Sequence, residues 1–131
     1  IKTGLFDFCL DIGGTGTRGA LFDEKGNELA RANAAGGALS LGAERSGHAI
    51  NAVWRQICLQ LELDAPAKKT TRLWAGIAGK GLPGRAKELS ARLSGFWQTV
   101  CRRWLWGVAG GNQWKTGRID YARHRGRRVT A

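Results

Sequence analysis

The sequence predicts an α/β fold in which a three-stranded antiparallel meander is followed by a helix, a parallel strand and a second helix. Three observations predict this order. Two short turns separate three strand-like runs at the beginning of the chain. A long segment with helical apolar spacing follows, and a further apolar run then leads into a second, shorter helical segment. A chain of 131 residues suits a single modest core.

The meander is predicted at about Phe6–Ile12, Thr17–Phe22 and Glu28–Asn33. The first two runs are joined by an acidic, glycine-rich turn, and the second turn is Lys25-Gly26-Asn27. Because both connections are short, neighbouring strands are expected to pair antiparallel.

The clearest helix is predicted at about Ala43–Leu63 and ends before Pro66. Its apolar residues recur at positions i, i+3, i+4, i+7, i+8 and i+11: Ile50, Val53, Trp54, Ile57, Cys58 and Leu61. Leu73–Ile77 is apolar throughout, which predicts an internal strand parallel to the first. Pro83–Leu93 is predicted as the second helix.

The turn between the first two strands, Asp11–Thr17, carries the clearest indication of chemistry. Its glycines allow the backbone to approach an anion and to adopt positive φ, and the N–H groups of such a turn form an anion-binding concavity. Thr15 and Thr17 add hydroxyl donors, and Asp11 is placed to hold a hydrated Mg²⁺ against a phosphate. An ordinary glycine hairpin is the alternative interpretation of a Gly-Gly pair.

The run LDIGGTGTRGALFDEKGNELAR resembles the first phosphate motif of the actin-like ATPase and sugar-kinase superfamily. There an acid-Gly-Gly-Thr turn joins the first two strands of a ribonuclease-H-like domain. The later strand, Gly-Ile-Ala-Gly segment and helix resemble the BadF/BadG/BcrA/BcrD ATPase family, which includes N-acetylglucosamine and glucosamine kinases. The resemblance covers about Phe6 to Leu93 and implies a ribonuclease-H-like half-domain.

This resemblance implies an ATP-dependent kinase of an amino sugar such as N-acetylglucosamine or glucosamine, with ATP and Mg²⁺ as cofactors. The metal would be oriented by Asp11. The phosphates would lie over the glycine-threonine turn and near the arginine that follows it: Gly13, Gly14, Thr15, Gly16, Thr17 and Arg18. The sugar cleft would be bordered by Gly76, Ala78 and Gly79. Ala38 stands where such kinases often have an asparagine that approaches the sugar, which weakens that contact.

The chain is expected to divide into residues 1–95, an incomplete ribonuclease-H-like subdomain, and residues 96–131, an irregular basic tail. Residues 1–95 carry 13 basic and 9 acidic side chains, whereas residues 96–131 carry 8 basic and 1 acidic. The family would place here a fifth strand ending in the catalytic aspartate, and then a second Gly-Thr-Gly phosphate motif. We recognise neither in the tail, so the catalytic base is unknown and the chain is expected to be inactive alone.

Unpatterned Trp and Arg are typical of G+C-rich DNA translated out of frame. Reading the codons for 102–125 from their second nucleotide forces glycine at the positions of Trp104, Trp106 and Trp114. One permitted peptide is DAGYGALLGATNGKPGALITLGTG, which has the aspartate, helix and Gly-Thr-Gly of the family. We therefore favour a one-nucleotide lesion in the codons for Leu93–Trp97. A nucleic-acid-binding arm or a partner-binding segment is the alternative.

A third functional class, an activator ATPase of a dehydratase, would require cysteines that bridge a dimer through an iron–sulfur cluster. Cys9, Cys58 and Cys101 show no such spacing and are interpreted as reduced thiols, the first two of them buried. The sequence has neither a membrane-spanning run of ~20 apolar residues nor a signal-peptide pattern, so a cytoplasmic location is expected. Apolar surface left uncovered by a missing second half would favour self-association.

Overall fold

The computed structural model describes residues 4–77 and 83–101, and in that part five strands form one sheet of order β3-β2-β1-β4-β5. The elements in chain order are β1 (Phe6–Ile12), β2 (Gly16–Phe22), β3 (Glu28–Ala35), α1 (Ala43–Leu61), β4 (Thr71–Ile77), α2 (Pro83–Leu93) and β5 (Thr99–Cys101). The β1–β2 and β2–β3 pairs are antiparallel, whereas β4 runs parallel to β1. The predicted α/β fold class is confirmed.

One face of the sheet carries the main core, because alternate residues of a strand point to the same side. From β1 this face receives Phe6, Phe8, Leu10 and Ile12, all buried, and from α1 it receives Ile50, Val53, Trp54 and Ile57. The predicted helical stripe is therefore confirmed as core packing.

Neither α1 nor α2 combines the length and the apolar character that a membrane span requires.

Helix α1 ends two residues earlier than predicted, and a 3₁₀ turn, Glu62–Asp64, follows it. Glu62 has φ 51°, the positive region that L-residues rarely adopt. The apolar pattern could not locate this end, because Leu63 is apolar although it is 87% exposed and lies outside the core.

The opposite face of β1 carries Asp7, the one interruption of the first apolar run. Its side chain is 0% exposed. The carboxylate accepts hydrogen bonds from Arg72 Nε at 2.8 Å, from Arg72 Nη2 at 3.0 Å and from Trp74 Nε1 at 2.8 Å. Asp7 and Arg72 are paired in the β1–β4 register. The buried charge is therefore neutralised and hydrogen-bonded by the neighbouring strand, as burial requires.

The expectation that no strand follows Gly95 is wrong. Strand β5 pairs parallel with β4, and Trp97 is buried against Phe8 and Trp54, with ring centroids 5.5 and 4.9 Å apart. A three-residue strand is too short to produce a readable sequence pattern. Residues 102–131 lie outside the described part, so the division into 1–95 and 96–131 stays a prediction.

The two cysteines with described side chains are reduced, Cys9 buried and Cys58 partly buried. Burial raises the pKa of the Cys58 thiol, and the nearby positive charge of Lys68 opposes that shift. A raised pKa leaves less reactive thiolate at neutral pH, in keeping with a packing role.

Candidate functional site

The predicted phosphate turn lies at the carboxyl end of β1. In the sheet register, Asp11 is flanked by Arg18 of β2 on one side and by Gly76 of β4 on the other. Strands β1 and β4 end level with each other, at Ile12 and Ile77. The segments that follow these two strands therefore begin at the same edge of the sheet. Two of the residues predicted to border the sugar, those at 78 and 79, lie outside the described residues.

The turn is open on its outer side. Gly14, Thr15 and Gly16 are exposed, and a Cβ added at Gly14 or Gly16 would meet no atom within 4 Å. The turn is closed by one internal bond, from Gly13 N to Gly16 O, of 2.9 Å. The backbone amides of Gly14 and Thr15 find no acceptor within the described part of the chain. Two unused donors in an exposed glycine turn suit an anionic ligand.

Positive φ is not what these glycines supply. Among the described glycines, positive φ occurs at Gly4, Gly26 and Gly42, none of them in this turn. The expectation that the phosphate turn uses glycine for left-handed backbone is therefore wrong. What glycine supplies at Gly14 and Gly16 is access to the backbone from solvent.

Asp11 is ion-paired in the structure. Its Oδ2 lies 2.6 Å from Nη2 of Arg18, and the two side chains are 26% and 42% exposed. No group of three or more His, Cys, Asp and Glu side chains suited to a metal occurs within residues 4–77 and 83–101. A single accessible carboxylate beside free amides nevertheless fits Mg²⁺, which commonly takes one or two carboxylates together with phosphate oxygens and water.

Thr17 differs from Thr15 in its surroundings. Its side chain is 1% exposed, and its hydroxyl donates to the carbonyl of Ala35 at 2.9 Å. Thr17 thus fastens the end of β3 to the beginning of β2, directly behind the turn. The structure brings Asp11, Arg18 and the exposed glycines together at the surface and places the Thr17 hydroxyl inside.

Sequence reasoning assigned no role to Gly36–Gly37, the adjacent glycines that follow β3. Both residues are buried, and Gly37 N donates to Gly13 O at 3.0 Å. The composition of the loop gave a signal, since adjacent glycines mark close approach of backbones. Nothing in the sequence indicated which segment they approach.

A second missed residue is Arg85 of α2. Its Nη1 donates to the carbonyls of Leu39 and Ser40, each at 2.9 Å. These carbonyls belong to the 3₁₀ turn that follows Ala38, which is itself buried. The loop between β3 and α1 is thereby fixed from α2. Ala38 offers no polar side chain to a ligand.

No profile of a known protein family matches the chain, and no curated protein matches it. Solved structures do match. A candidate N-acetylglucosamine kinase from Chromobacterium violaceum is similar with a TM-score of 0.67 and 27% identity, over 74% of this chain and 34% of that one.

Two further structures are more distant. A gluconate kinase from Lactobacillus acidophilus has a TM-score of 0.41 and 12% identity, over 56% of this chain and 16% of that one. A reductive activator for a corrinoid, iron–sulfur protein has a TM-score of 0.46 and 15% identity, over 73% of this chain and 19% of that one.

The likeness to the first kinase agrees with the resemblance found in the sequence. This chain spans about a third of the length of that kinase. The chain has the fold of the actin-like ATPase and sugar-kinase superfamily, represented here by part of one ribonuclease-H-like half.

Proposed function

We propose that the chain is the N-terminal part of an ATP-dependent sugar kinase, of the kind that phosphorylates N-acetylglucosamine or glucosamine. The observation that supports this best is the open turn at Gly14–Gly16, with two unpaired amides beside the accessible carboxylate of Asp11. The similarity to a candidate N-acetylglucosamine kinase supports the sugar class.

In this proposal the backbone of Gly13–Gly16 and the hydroxyl of Thr15 contact the β- and γ-phosphates of ATP. Asp11 would hold Mg²⁺ against the phosphates, and Arg18, now paired with Asp11, would supply positive charge to the phosphate. Thr17 fixes the turn from behind. With Mg²⁺ bound, ATP supplies the transferable phosphoryl group, and the protein contributes position and charge stabilisation. Gly76, with residues 78 and 79, borders the sugar.

The chain alone is proposed to be inactive. Phosphoryl transfer to a sugar needs a carboxylate that accepts the hydroxyl proton, and no residue of the in-frame resemblance supplies it. We propose that the parent reading frame is lost in the tail. Because Trp97 and β5 belong to the packed sheet, the lesion is expected at the junction of the codons for Cys101 and Arg102, where the shifted reading begins, rather than at Leu93–Trp97. Sequencing the coding DNA tests this directly.

The phosphate site is tested by titrating the chain with Mg·ATP and Mg·tripolyphosphate. Binding is expected to be weak, on the order of millimolar, because only the phosphates are contacted. Gly14→Ala places a methyl group on the open side of the turn, where it meets no protein atom. It should therefore weaken both ligands about tenfold without unfolding the chain.

Gly47→Ala is the matched control, because a Cβ there also meets nothing within 4 Å but lies in α1. It should leave binding unchanged and stabilise the helix by about 0.5–1 kcal/mol. Equal affinity of the wild type and Gly14→Ala would contradict the phosphate site, as would an absence of binding by the wild type. Phosphorylation of glucosamine or N-acetylglucosamine by the purified chain would contradict its inactivity.

A further inference from the structure

The Gly36–Gly37 pair lies directly behind the turn, with backbone against backbone. A Cβ built on Gly36 would stand 2.1 Å from Gly14 O and 2.9 Å from Thr15 N. No side chain fits there unless the turn or the loop moves, because the atoms it would meet belong to the main chain. Gly36 is thus the residue that permits the loop after β3 to touch the turn.

Two of the turn's carbonyl oxygens are engaged by hydrogen bonds, and a third is packed. Gly13 O accepts from Gly37 N, and Gly16 O accepts from Gly13 N. Gly14 O is packed against Gly36. Carbonyl oxygens repel a phosphate, whereas amide hydrogens attract it. Engaging these oxygens behind the turn leaves the unpaired amides of Gly14 and Thr15 as the groups available in front.

The glycine pair is itself held by α1. The Ser46 hydroxyl, which is fully buried, donates to Gly37 O. A Cβ on Gly37 would stand 2.7 Å from Ala49 Cβ and 3.1 Å from Arg45 O, so Gly37 lies close against the helix, although less closely than Gly36 lies against the turn. The first turns of α1, the glycine pair and the phosphate turn therefore form one continuous contact.

We infer that Gly36 is a positioning residue for phosphate binding, acting through the shape of the Gly13–Gly16 turn. The inference rests on the proposed function for its ligand. It extends that function by giving the loop after β3 a second role besides approaching the sugar. The loop fixes the conformation of the Gly13–Gly16 turn. Gly37 and Ser46 connect that turn to α1.

The test compares Gly36→Ala with Gly37→Ala in the full chain. The added methyl pushes against the turn in Gly36→Ala and against α1 in Gly37→Ala. Gly36→Ala should weaken Mg·tripolyphosphate about tenfold or more and accelerate amide exchange at Gly13 and Gly37. Gly37→Ala should accelerate amide exchange at residues 43–49. It should lower the denaturation midpoint at least as much as Gly36→Ala does. Its folded fraction should lose less affinity than Gly36→Ala, about threefold, because the methyl reaches the turn only through the bond from Gly37 N to Gly13 O.

Hydrogen exchange separates this inference from the proposed function. If the wild type binds no phosphate, the proposed function fails, and accelerated exchange at Gly13 confined to Gly36→Ala still supports the positioning role. Unchanged exchange at Gly13 in Gly36→Ala, or wild-type affinity in that variant, overturns the inference. If Gly36→Ala does not fold, Ser46→Ala is used. It should raise exchange at Gly37 and weaken binding about threefold, and no change in either would overturn the inference.

Discussion

The two hairpin turns of the meander contain the same kinds of residue but use them differently. In the turn Asp23–Asn27, the carboxylate of Asp23 accepts bonds from Lys25 N and Asn27 N, both at 2.9 Å, and from Asn27 Nδ2 at 3.2 Å. In the turn between β1 and β2, the carboxylate of Asp11 binds a side chain of the neighbouring strand, and two backbone amides remain unpaired within the described part of the chain.

The difference shows that an acid followed by glycine does not by itself indicate a ligand site. The Asp23 turn is satisfied by its own acid, and its buried Gly26 has φ 85°, where a side chain would be strained. The Gly13–Gly16 turn is instead closed from behind by another segment and left open in front. In a structural turn, the carboxylate of the turn accepts hydrogen bonds from the backbone amides. In a candidate anion site, those amides remain available to a ligand.

Substitution of a third carboxylate, that of Asp7, should have the largest effect on stability. Asp7 is fully buried and accepts three bonds from Arg72 and Trp74. Asp7→Ala should lower the free energy of unfolding by about 3 kcal/mol, because it removes the acceptor of three hydrogen bonds and the buried counter-charge of the Arg72 guanidinium. Urea denaturation measures the loss, and Asp7→Asn, which keeps one acceptor oxygen, is the control that should lose less. A loss below about 1 kcal/mol would show that solvent replaces the carboxylate.

Substitution of Asp23 should have the next largest effect. It should lower stability without changing ligand binding. Asp23→Ala removes an acceptor from three donors near the surface, so unfolding should cost about 1–2 kcal/mol less. Binding of Mg·tripolyphosphate should not change. Lys25→Ala is the control: its backbone N–H still reaches Asp23, and its effect should stay within about 0.5 kcal/mol. Weakened phosphate binding in Asp23→Ala would contradict the distinction between the turns.

The sequence was sufficient to predict those elements whose apolar pattern extends over many residues. The helical stripe of α1 reflects burial on one face, and that prediction was confirmed. The bounds Phe6–Ile12 and Pro83–Leu93 agree with the structure, because glycines, prolines and charges mark the ends of these segments.

The sequence was insufficient where a role depends on a distant partner. Arg85 and Leu39 are 46 residues apart, and Arg72 and Asp7 are 65 apart, and no local period encodes such pairs. Thr17 shows the same limit within a motif. It stands beside Thr15 in the resemblance, yet strand alternation turns its side chain inward, where the Ala35 carbonyl accepts its hydroxyl.

The Asp11–Arg18 pair gives the smallest expected effect on stability and the most direct contrast with Asp23. Both side chains are partly exposed, so Asp11→Asn and Arg18→Gln should each change the unfolding free energy by less than about 1 kcal/mol. Their effects on ligand binding should differ. If Asp11 orients Mg²⁺, Asn at that position removes the gain in tripolyphosphate affinity that Mg²⁺ produces over EDTA. Arg18→Gln, which removes a positive charge from the phosphate side, should weaken binding with and without Mg²⁺. Calorimetric titrations in both buffers measure this, and an undiminished Mg²⁺ effect in Asp11→Asn would assign Asp11 to the ion pair alone.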